Sequence, residues 1–201
     1  MNTATRLYRQ STRAEQAADT GRRIVAAFRR MISETGLEDV TLDAVAADAG
    51  VTVQTVIRRF GGKQGLIEAT VETMDSEIIS VRRSEPGDVA AGLKALLRDY
   101  ETTGDLVVHL LAQERRQPAL AAALAKGRAG HREWVEELFG PLLPAPKPLR
   151  ERTIAALVGA TDVYMWQILR RDQRRSQKET ERVMRLLVDG AIVAARQQAA
   201  A

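Results

Sequence analysis

Apolar residues along this chain recur at the three- and four-residue spacing of helices. Between residues 22 and 35, Ile24, Phe28, Met31 and Ile32 fall on one helical face. The same spacing, divided by turns that contain glycine or proline, predicts further helices over residues 41–49, 52–60, 63–83, 88–103, 106–116, 118–139, 149–174 and 177–196. No strand-like alternation of useful length interrupts them. The pattern therefore predicts an all-α protein of about nine helices.

The predicted helices fall into a small N-terminal group and a larger C-terminal group. Residues 1–20 are polar, contain three arginines and are predicted as a flexible basic arm. Residues 21–65 hold three short helices and are predicted as a helix-turn-helix domain. Residues 66–201 are predicted as a larger helical domain. Within that domain, the run from Gly140 to Pro148 contains four prolines and is the strongest linker signal in the chain.

Composition adds a modest positive bias to this picture. Hydrophobic residues make up 45% of the 201 residues, which is enough for a buried core, while aromatic residues make up only 4%. The net charge is +4, and most of it lies in residues 1–65, where 10 Lys and Arg stand against 7 Asp and Glu. Residues 66–201 carry 20 against 19. A domain that binds the phosphates of nucleic acid would have this positive bias, and so would an ordinary basic surface.

Several functional classes lack their characteristic residues. There is no cysteine, which excludes disulfides and Cys-ligated zinc and fits a reducing compartment. The two histidines, His109 and His131, belong to no metal-ligand motif, and no nucleophile elbow occurs. We therefore expect no enzyme, no metal and no cofactor. The polar N-terminus and the lack of a long apolar run predict a cytoplasmic protein with no membrane segment.

Residues 41–60 have the pattern of a helix-turn-helix. Ala46 is a small residue where two short helices would cross, Gly50 supplies the turn, and Val56 anchors the next helix from inside. A plain helical hairpin would have the same scaffold. That alternative gives no reason for the outward face of residues 53–59, which suits DNA.

The candidate DNA contacts divide into base readers and phosphate contacts. The candidate base-reading face consists of Val53, Gln54, Thr55, Arg58 and Arg59. Glutamine can bond adenine bidentately, arginine can bond guanine, and a valine or threonine methyl can touch the thymine methyl. The candidate phosphate contacts are Thr41 and Thr52 at helix N-termini, with Gly62 and Lys63 before the fourth helix.

Residues 20–70 resemble the N-terminal domain of the TetR family of transcriptional regulators. The resemblance is carried by Ile24, Ala27, Ile32, Gly36, Thr41–Ala46, Ala49–Thr52, Thr55, Val56, Phe60, Lys63, Leu66 and Ile67. Family members often have aromatic residues at the positions of Ile57 and Arg59, where tyrosines contact phosphate. Ile57 cannot make that contact, whereas Arg59 can. A small residue is common in the family where Gln54 stands, so Gln54 is a candidate base reader particular to this chain.

The resemblance implies that residues 66–201 form a ligand-binding and dimerisation domain. In the family the last two helices, here about 150–174 and 177–196, usually pair with those of a second copy. The candidate interface residues are Leu157, Ala160, Val163, Tyr164, Ile168, Val183, Leu187, Ala191 and Ala194. An ordinary intrachain core would have the same residues.

An effector pocket is expected among the helices of residues 88–174. The candidate ligand-binding residues are Tyr100, His109, Gln113, Trp134, Asp162, Tyr164 and Trp166. Each of them also has a simpler interpretation as part of the core or surface.

The motif and the resemblance together predict a ligand-responsive DNA-binding regulator. In this hypothesis a homodimeric repressor binds a palindromic double-stranded operator and is released by a small molecule. Repression is the family's usual sign and does not follow from these residues. The alternative is a ligand-independent or architectural DNA-binding protein. A helical protein-interaction module is a further alternative, and it would leave residues 53–59 without a purpose.

Overall fold

The computed structural model describes residues 3–200, with side chains for residues 15–200 except 75, 76, 79, 118 and 119. The helices are α1 (Thr3–Thr35), α2 (Leu42–Asp48), α3 (Val53–Phe60), α4 (Lys63–Val81), α5 (Val89–Gln113), α6 (Pro118–Phe139), α7 (Lys147–Thr161), α8 (Val163–Gln167) and α9 (Gln177–Ala200). A 3₁₀ turn, Gly140–Leu142, follows α6, and a π-helical turn, Ile168–Asp172, follows α8. Residues 3–200 contain no strand, which confirms the predicted all-α class. None of the helices in this range is both long and apolar enough to cross a bilayer.

The first helix begins much earlier than the sequence pattern predicts. We predicted residues 1–20 as an arm that precedes a helix starting near Arg22, but α1 already includes Thr3–Thr20. The physical reason is local, because this segment is rich in alanine, arginine and glutamine and has no glycine or proline before Gly21. The apolar spacing that marks a buried face starts only at Ile24.

The helices predicted over residues 88–103 and 106–116 are a single helix, α5. Gly104, which we took to lie in a break, is buried in the middle of that helix. A Cβ at Gly104 would lie 2.4 Å from the ring of Trp166. The glycine therefore permits a close approach between α5 and α8, and that role cannot be seen in a local window of sequence.

The helix predicted over residues 149–174 is divided at Asp162. The backbone of Asp162 is extended, with φ −67° and ψ 152°, so it ends α7. Its Oδ1 accepts a hydrogen bond from the Tyr164 N–H at 2.9 Å and so caps α8. The division comes from this side-chain cap rather than from glycine or proline.

The chain forms two compact units, Met1–Thr73 and Met74–Ala201. The sequence placed a boundary at 65/66, whereas the division lies inside α4, which continues from the first unit into the second. The core of the first unit is built from Ile24, Phe28, Ile32, Leu37, Val45, Val56, Leu66 and Ile67. Seven of these lie on α1 to α4, where the apolar pattern predicted helices, and Leu37 lies in the loop between α1 and α2.

The core of the second unit surrounds α5. Its buried side chains include Leu93, Leu96, Leu97, Tyr100, Val135, Phe139, Leu157, Trp166 and Met184. They come from α5 to α9, and α9 packs along α7. The aromatic side chains of Tyr100, Phe139 and Trp166 therefore lie in this core, packed among aliphatic neighbours.

Candidate functional site

The turn between α2 and α3 has the compact geometry of a helix-turn-helix. Gly50 adopts φ 65°, a left-handed conformation that costs a residue with a Cβ about 1 kcal/mol or more. The Val51 N–H donates to the Ala46 carbonyl at 2.9 Å and closes the turn. Ala46 and Val56 are buried beneath it. The three scaffold residues on which the motif was predicted therefore occupy the positions expected of them.

Helix α1 supports this turn from behind. Arg23 Nη1 donates to the Ala49 carbonyl at 2.8 Å, next to the end of α2. Arg30 of α1 forms an ion pair with Asp48, the last residue of α2. The Arg23 contact satisfies a carbonyl at the C-terminal end of α2, where carbonyl groups lack helical partners. The two charged contacts thus hold the end of α2 against α1 in addition to the core.

Two exposed threonines begin the helices of the motif. Thr41 Oγ1 accepts a hydrogen bond from the Ala44 N–H at 3.2 Å, and Thr52 Oγ1 accepts one from the Thr55 N–H at 3.2 Å. The hydroxyls of Thr52 and Thr55 are also 3.0 Å apart. Both threonines therefore act as N-caps at the surface. Their hydroxyl hydrogens can still donate to a phosphate, so the predicted contacts stay predictions.

The third helix presents a polar and basic surface. Gln54, Arg58 and Arg59 are exposed, whereas Val53 and Thr55 are half-buried. The helix ends at Gly61, whose φ of 74° is the left-handed conformation common after a helix, and its N–H donates to the Ile57 carbonyl at 2.8 Å. Five predicted base readers thus lie on one eight-residue helix, on its exposed and half-buried positions.

Lys63 has a structural role that the sequence did not reveal. Its Nζ donates to the Val40 carbonyl at 2.7 Å and to the Glu38 carbonyl at 3.4 Å, which closes the loop between α1 and α2. Burial lowers the pKa of this amine, and the nearby carboxylates of Asp39 and Glu38 oppose that shift. An ammonium group has three donors. The predicted phosphate contact would therefore use the donor that remains, next to Gly62.

The predicted ligand-binding residues do not converge on one cavity. Tyr100 is buried, and its hydroxyl donates to the Thr161 carbonyl at 3.0 Å. Trp134 is half-buried, and its Nε1 donates to the Arg82 carbonyl at 3.3 Å. Both rings face Arg82, whose guanidinium carbon lies 4.9 Å and 6.0 Å from their centroids. These two predicted residues are thus brought together by an arginine.

The other predicted ligand residues are spread over the second unit. Trp166 is fully buried, with its ring 6.1 Å from that of Tyr100. Asp162 is the cap of α8, and Tyr164 is exposed. His109 and Gln113 are half-buried near the end of α5, where Gln113 Oε1 has no hydrogen-bond partner among the described residues. Among the described residues, no set of contacts brings all seven side chains together.

A buried polar network around Arg82 was missed by the sequence analysis. Arg82 follows α4 directly, and its Nε and Nη2 lie 2.7 Å and 2.6 Å from Asp99 Oδ2 on α5. Arg82 Nη1 lies 3.2 Å from His131 Nδ1 on α6, and His131 Nε2 lies 3.0 Å from Thr161 Oγ1 on α7. Thr103 Oγ1 donates to Asp99 Oδ1 at 2.9 Å. One arginine thereby joins polar groups from three helices.

The hydrogen bonds of this network fix the state of His131. A guanidinium only donates, so Nδ1 accepts and the neutral ring carries its hydrogen on Nε2, which donates to Thr161 Oγ1. Burial, and then the positive charge of Arg82, lower the pKa of His131 to about 4. Burial also raises the pKa of Tyr100. The network thus holds a neutral histidine beside a buried ion pair.

A second set of ion pairs holds the π-helical turn to α5. Arg170 Nε lies 2.6 Å from Glu101 Oε1, and the same carboxylate accepts from Trp166 Nε1 at 2.9 Å. These hydrogen bonds lower the pKa of Glu101. Arg171 pairs with Asp105 at 2.7 Å. Glu101 and Asp105 lie one helical turn apart on α5. The two ion pairs therefore hold the π-helical segment after α8 against α5.

The proposed interface residues divide between core and surface. Leu157, Ala160 and Val163 are buried inside the second unit, as the alternative of an intrachain core expects. Val183 and Ala191 are half-buried, whereas Tyr164, Ile168, Leu187 and Ala194 are exposed. The most exposed apolar side chains of α9 are ones that the prediction omitted, Leu186 at 72% and Val193 at 51% of their surface.

Two clefts lie in the first unit. One is lined by Glu15, Gln16, Asp19, Thr20, Arg22 and Arg23. The other has a volume of about 350 Å³ and is lined by Ala17, Thr20, Thr55, Arg58 and Arg59. The second of these adjoins α3 and includes three of the predicted base readers. The predicted effector pocket in the second unit stays a prediction.

Comparison with known proteins identifies the first unit. Residues 24–70 match the family model described as bacterial regulatory proteins, tetR family. Over these residues the chain is therefore similar to the DNA-binding domain of that family. The match covers α2 and α3, their turn and parts of the flanking helices, and regulators of this family bind DNA and are not enzymes.

One curated relative and two solved structures are similar to longer parts of the chain. An uncharacterised HTH-type transcriptional regulator, YvkB of Bacillus subtilis (strain 168), is 29% identical over 92 residues, which is 44% of this chain and 49% of that protein. The match thus spans about half the length of the curated relative. A transcriptional regulator from Rhodococcus sp. Rha1 superimposes with a TM-score of 0.71 at 18% identity, over 87% of this chain and 96% of the other. A tetR-family regulator from Streptomyces coelicolor gives 0.71 at 15% identity, over 91% and 82%. These structural likenesses concern the fold.

Proposed function

We propose that this chain is a TetR-family regulator that binds a specific DNA operator through α3 as a homodimer and responds to a small molecule. The observation that carries the proposal is the surface of α3. Gln54 and Arg58 are exposed on a helix that follows the turn at Gly50 and is anchored in the core by Val56. A helix of this kind can enter the major groove, where glutamine and arginine distinguish base pairs by bidentate hydrogen bonds.

Binding of labelled duplexes, measured by fluorescence anisotropy at fixed salt, tests the operator. Genomic fragments are compared with bulk DNA of random sequence. We expect one or a few fragments to bind far more tightly than bulk DNA, because base contacts add to the phosphate contacts. Equal affinity for all fragments would refute operator recognition.

Variants then separate base reading from general charge. Arg58→Ala should cost about 1–3 kcal/mol and relax the preference at one base position. Arg98→Ala removes an exposed arginine from α5 and is the matched control. It should leave the sequence preference unchanged. If the two variants weaken all sequences alike, Arg58 is not a base reader.

The dimer would form through α9 together with the last part of the second unit. Leu186, Gly190 and Val193 lie on one face of α9, and all three are exposed. Two recognition helices must sit about 34 Å apart to read successive major grooves, which requires two copies. Leu186→Glu combined with Val193→Glu should convert a dimer to a monomer in sedimentation analysis. An unchanged mass would place the interface elsewhere.

The effector would be a largely apolar small molecule that enters the second unit near Tyr100, Trp134 and Trp166. These aromatic side chains lie beside the Arg82 network, which offers polar groups in an apolar setting. A ligand releases DNA only to the extent that it binds the two states of the protein with different affinity. Thermal-shift screening of a compound library, followed by anisotropy with each hit, tests this part of the proposal.

A ligand-independent DNA binder is the second candidate function. It is favoured by the filled core around Trp166, a side chain that is fully buried. This candidate expects that compounds which raise the unfolding temperature leave the affinity for DNA unchanged. A compound that lowers the affinity for the operator but not for bulk DNA would refute it.

A further inference from the structure

The guanidinium of Arg82 occupies a closed site in the second unit. Its Nε and Nη2 lie 2.7 Å and 2.6 Å from Asp99 Oδ2, and its Nη1 lies 3.2 Å from His131 Nδ1. The centroids of the Tyr100 and Trp134 rings lie 4.9 Å and 6.0 Å from its Cζ. A carboxylate beside aromatic rings is a combination of groups that binds organic cations. We refer to Asp99, Tyr100, His131 and Trp134 together as the cation cage.

Three walls of the cation cage are held by contacts that do not involve the guanidinium. Asp99 Oδ1 accepts a hydrogen bond from Thr103 Oγ1 at 2.9 Å. The Tyr100 hydroxyl donates to the Thr161 carbonyl at 3.0 Å, and His131 Nε2 donates to Thr161 Oγ1 at 3.0 Å. We therefore expect the carboxylate, the phenol and the imidazole to keep their positions when the guanidinium leaves. A site of this kind is preorganised for another cation.

The occupant of the cation cage is tethered to a surface loop. Arg82 is the first residue after α4, and its neighbours Val81 and Arg83 are exposed. The Arg82 N–H donates to the Ile78 carbonyl at 3.0 Å, and the Arg82 carbonyl accepts from Trp134 Nε1 at 3.3 Å. The backbone is thus held without the side chain. Rotation about the side-chain bonds can therefore move the guanidinium from the cage to water while α4 stays intact.

Burial distinguishes the cation cage from a second arginine site with the same kinds of partner. Arg171 pairs with Asp105 at 2.7 Å, and its Cζ lies 4.5 Å from the centroid of the Trp166 ring. The exposed fractions of that ion pair are 37% and 42%, against 9% and 3% for Arg82 and Asp99. Ion pairs and cation–π contacts are stronger where water is excluded. A free cation should therefore bind at the cage and not at the exposed pair.

We propose that the cation cage is a binding site for organic cations of the guanidinium or amidinium type, and that such a cation displaces Arg82, the built-in occupant. The inference deepens the small-molecule response of the proposed function, on which its regulatory meaning rests. It gives the effector a positive charge at the end that meets Asp99, in addition to an apolar body. A buried ion pair is often no more stabilising than apolar side chains of similar volume, so stability alone does not explain a charge at this position.

The first test empties the cation cage and offers it the missing group. Arg82→Ala removes the atoms that make up ethylguanidinium. Thermal unfolding of this variant is followed over a series of ethylguanidinium concentrations, with the chloride concentration matched at every point. N-Ethylurea, which is close in shape and has no charge, is the control compound. Arg171→Ala makes the same deletion at the exposed pair and is the control variant.

We expect ethylguanidinium to stabilise Arg82→Ala saturably, with an increase of about 3–6 °C in the unfolding temperature at tenfold its Kd. N-Ethylurea should give no such increase. Neither compound should stabilise Arg171→Ala saturably, because water screens the exposed pair. No saturable increase for Arg82→Ala, or an equal increase with N-ethylurea, would overturn the cation cage.

The second test uses the unaltered chain, so it does not depend on the folding of Arg82→Ala. Benzamidinium presents a planar cation on an apolar ring, and benzamide is its neutral counterpart. We expect benzamidinium alone to raise the unfolding temperature. Asp99→Asn should abolish this increase because it removes the counter-charge, whereas Asp105→Asn should retain it. An increase that persists in Asp99→Asn, or no increase in the unaltered chain, would refute the displacement of Arg82.

Measurements with DNA separate this inference from the proposed function. The affinity of the unaltered chain for its preferred genomic fragment is measured with and without benzamidinium. We expect a lower affinity in its presence. Cation binding without a change in affinity for DNA would leave the cation cage standing and refute its regulatory role. The lack of any preferred fragment would refute the operator alone, because the thermal measurements contain no DNA.

Discussion

The ion pair between Arg82 and Asp99 gives the sharpest prediction for the second unit. Asp99→Asn keeps the shape of the side chain and removes its charge. The exposed fractions of the two side chains are 9% and 3%, so the guanidinium would stay buried without its counter-charge. Removing one partner of a buried pair is far more costly than removing one partner of an exposed pair, because the remaining charge cannot return to water.

The magnitude follows from the contacts that are lost and those that remain. Asp99 Oδ2 accepts from two nitrogens of Arg82, at 2.7 Å and 2.6 Å, and loss of such a pair costs about 3–5 kcal/mol. In Asp99→Asn, Arg82 keeps its contacts with the rings of Tyr100 and Trp134 and its hydrogen bond to Nδ1 of His131. These contacts favour the cation, so we expect a loss near the lower end, about 3 kcal/mol in the free energy of unfolding.

Asp105→Asn is the matched control on the same helix. Asp105 binds Arg171 through two hydrogen bonds of 2.8 Å and 2.7 Å, but the exposed fractions of these side chains are 37% and 42%. Exposed pairs contribute about 0–1 kcal/mol. The two variants thus remove the same chemical interaction at similar distances and differ mainly in burial.

Urea unfolding followed by circular dichroism measures both losses at one fixed protein concentration, because self-association would otherwise shift the midpoint. An equal loss in the two variants, or a loss below about 1 kcal/mol for Asp99→Asn, would refute the reasoning. Arg82→Met combined with Asp99→Leu removes both charges and should recover part of the stability. A double variant less stable than Asp99→Asn would show that packing, not the unpaired charge, sets the loss.

Two further predictions concern the interior of the second unit. The pKa of His131 is about 4 in the fold and about 6.5 in a free side chain, so the unfolded chain takes up a proton first as the pH falls. The free energy of unfolding should therefore decrease by up to about 3 kcal/mol between pH 6.5 and 4. Urea unfolding of His131→Gln should show a weaker decrease over the same pH range. The same pH dependence in both proteins would contradict this prediction. Gly104→Ala should destabilise the unit by about 1–3 kcal/mol, because its Cβ would lie 2.4 Å from the Trp166 ring, whereas Gly127→Ala should stabilise it by about 0.5–1 kcal/mol. Thermal unfolding of both glycine variants checks this difference, and equal shifts would be the contrary result.

The helix-turn-helix could be predicted because its signals are local. Thr41, Gly50, Thr52 and Gly61 each act on backbone groups within a few residues, as caps or turn residues. A single sequence therefore contains all that is needed to place α2 and α3. The exposed positions of α3 follow from the same helical spacing.

The second unit was harder to predict because its determinants are distant in sequence. In the sequence, Gly104 has the pattern of a helix break, and only the fold shows that Trp166 packs against it. In the same way, Arg82 has the pattern of a surface arginine, and only the fold shows its contacts with Asp99 and His131. The aromatic residues that we proposed as ligand contacts were selected by residue type. Residue type does not tell a buried side chain in the core from one in a cavity, so Trp166 fits both interpretations before the fold is known.

The position of α4 has a consequence for exchanging parts between regulators of this kind. A chimera joined at residues 65/66 would remove Leu66, Ile67 and Thr70 from the first unit, although all three are buried. Thr70 Oγ1 also donates to the Leu66 carbonyl at 2.8 Å, within the same two turns of helix. A junction after Thr73 keeps these residues with α1 to α3. A transplanted helix-turn-helix unit should therefore include the first half of α4, and a different second unit should be joined within a helix rather than at a loop.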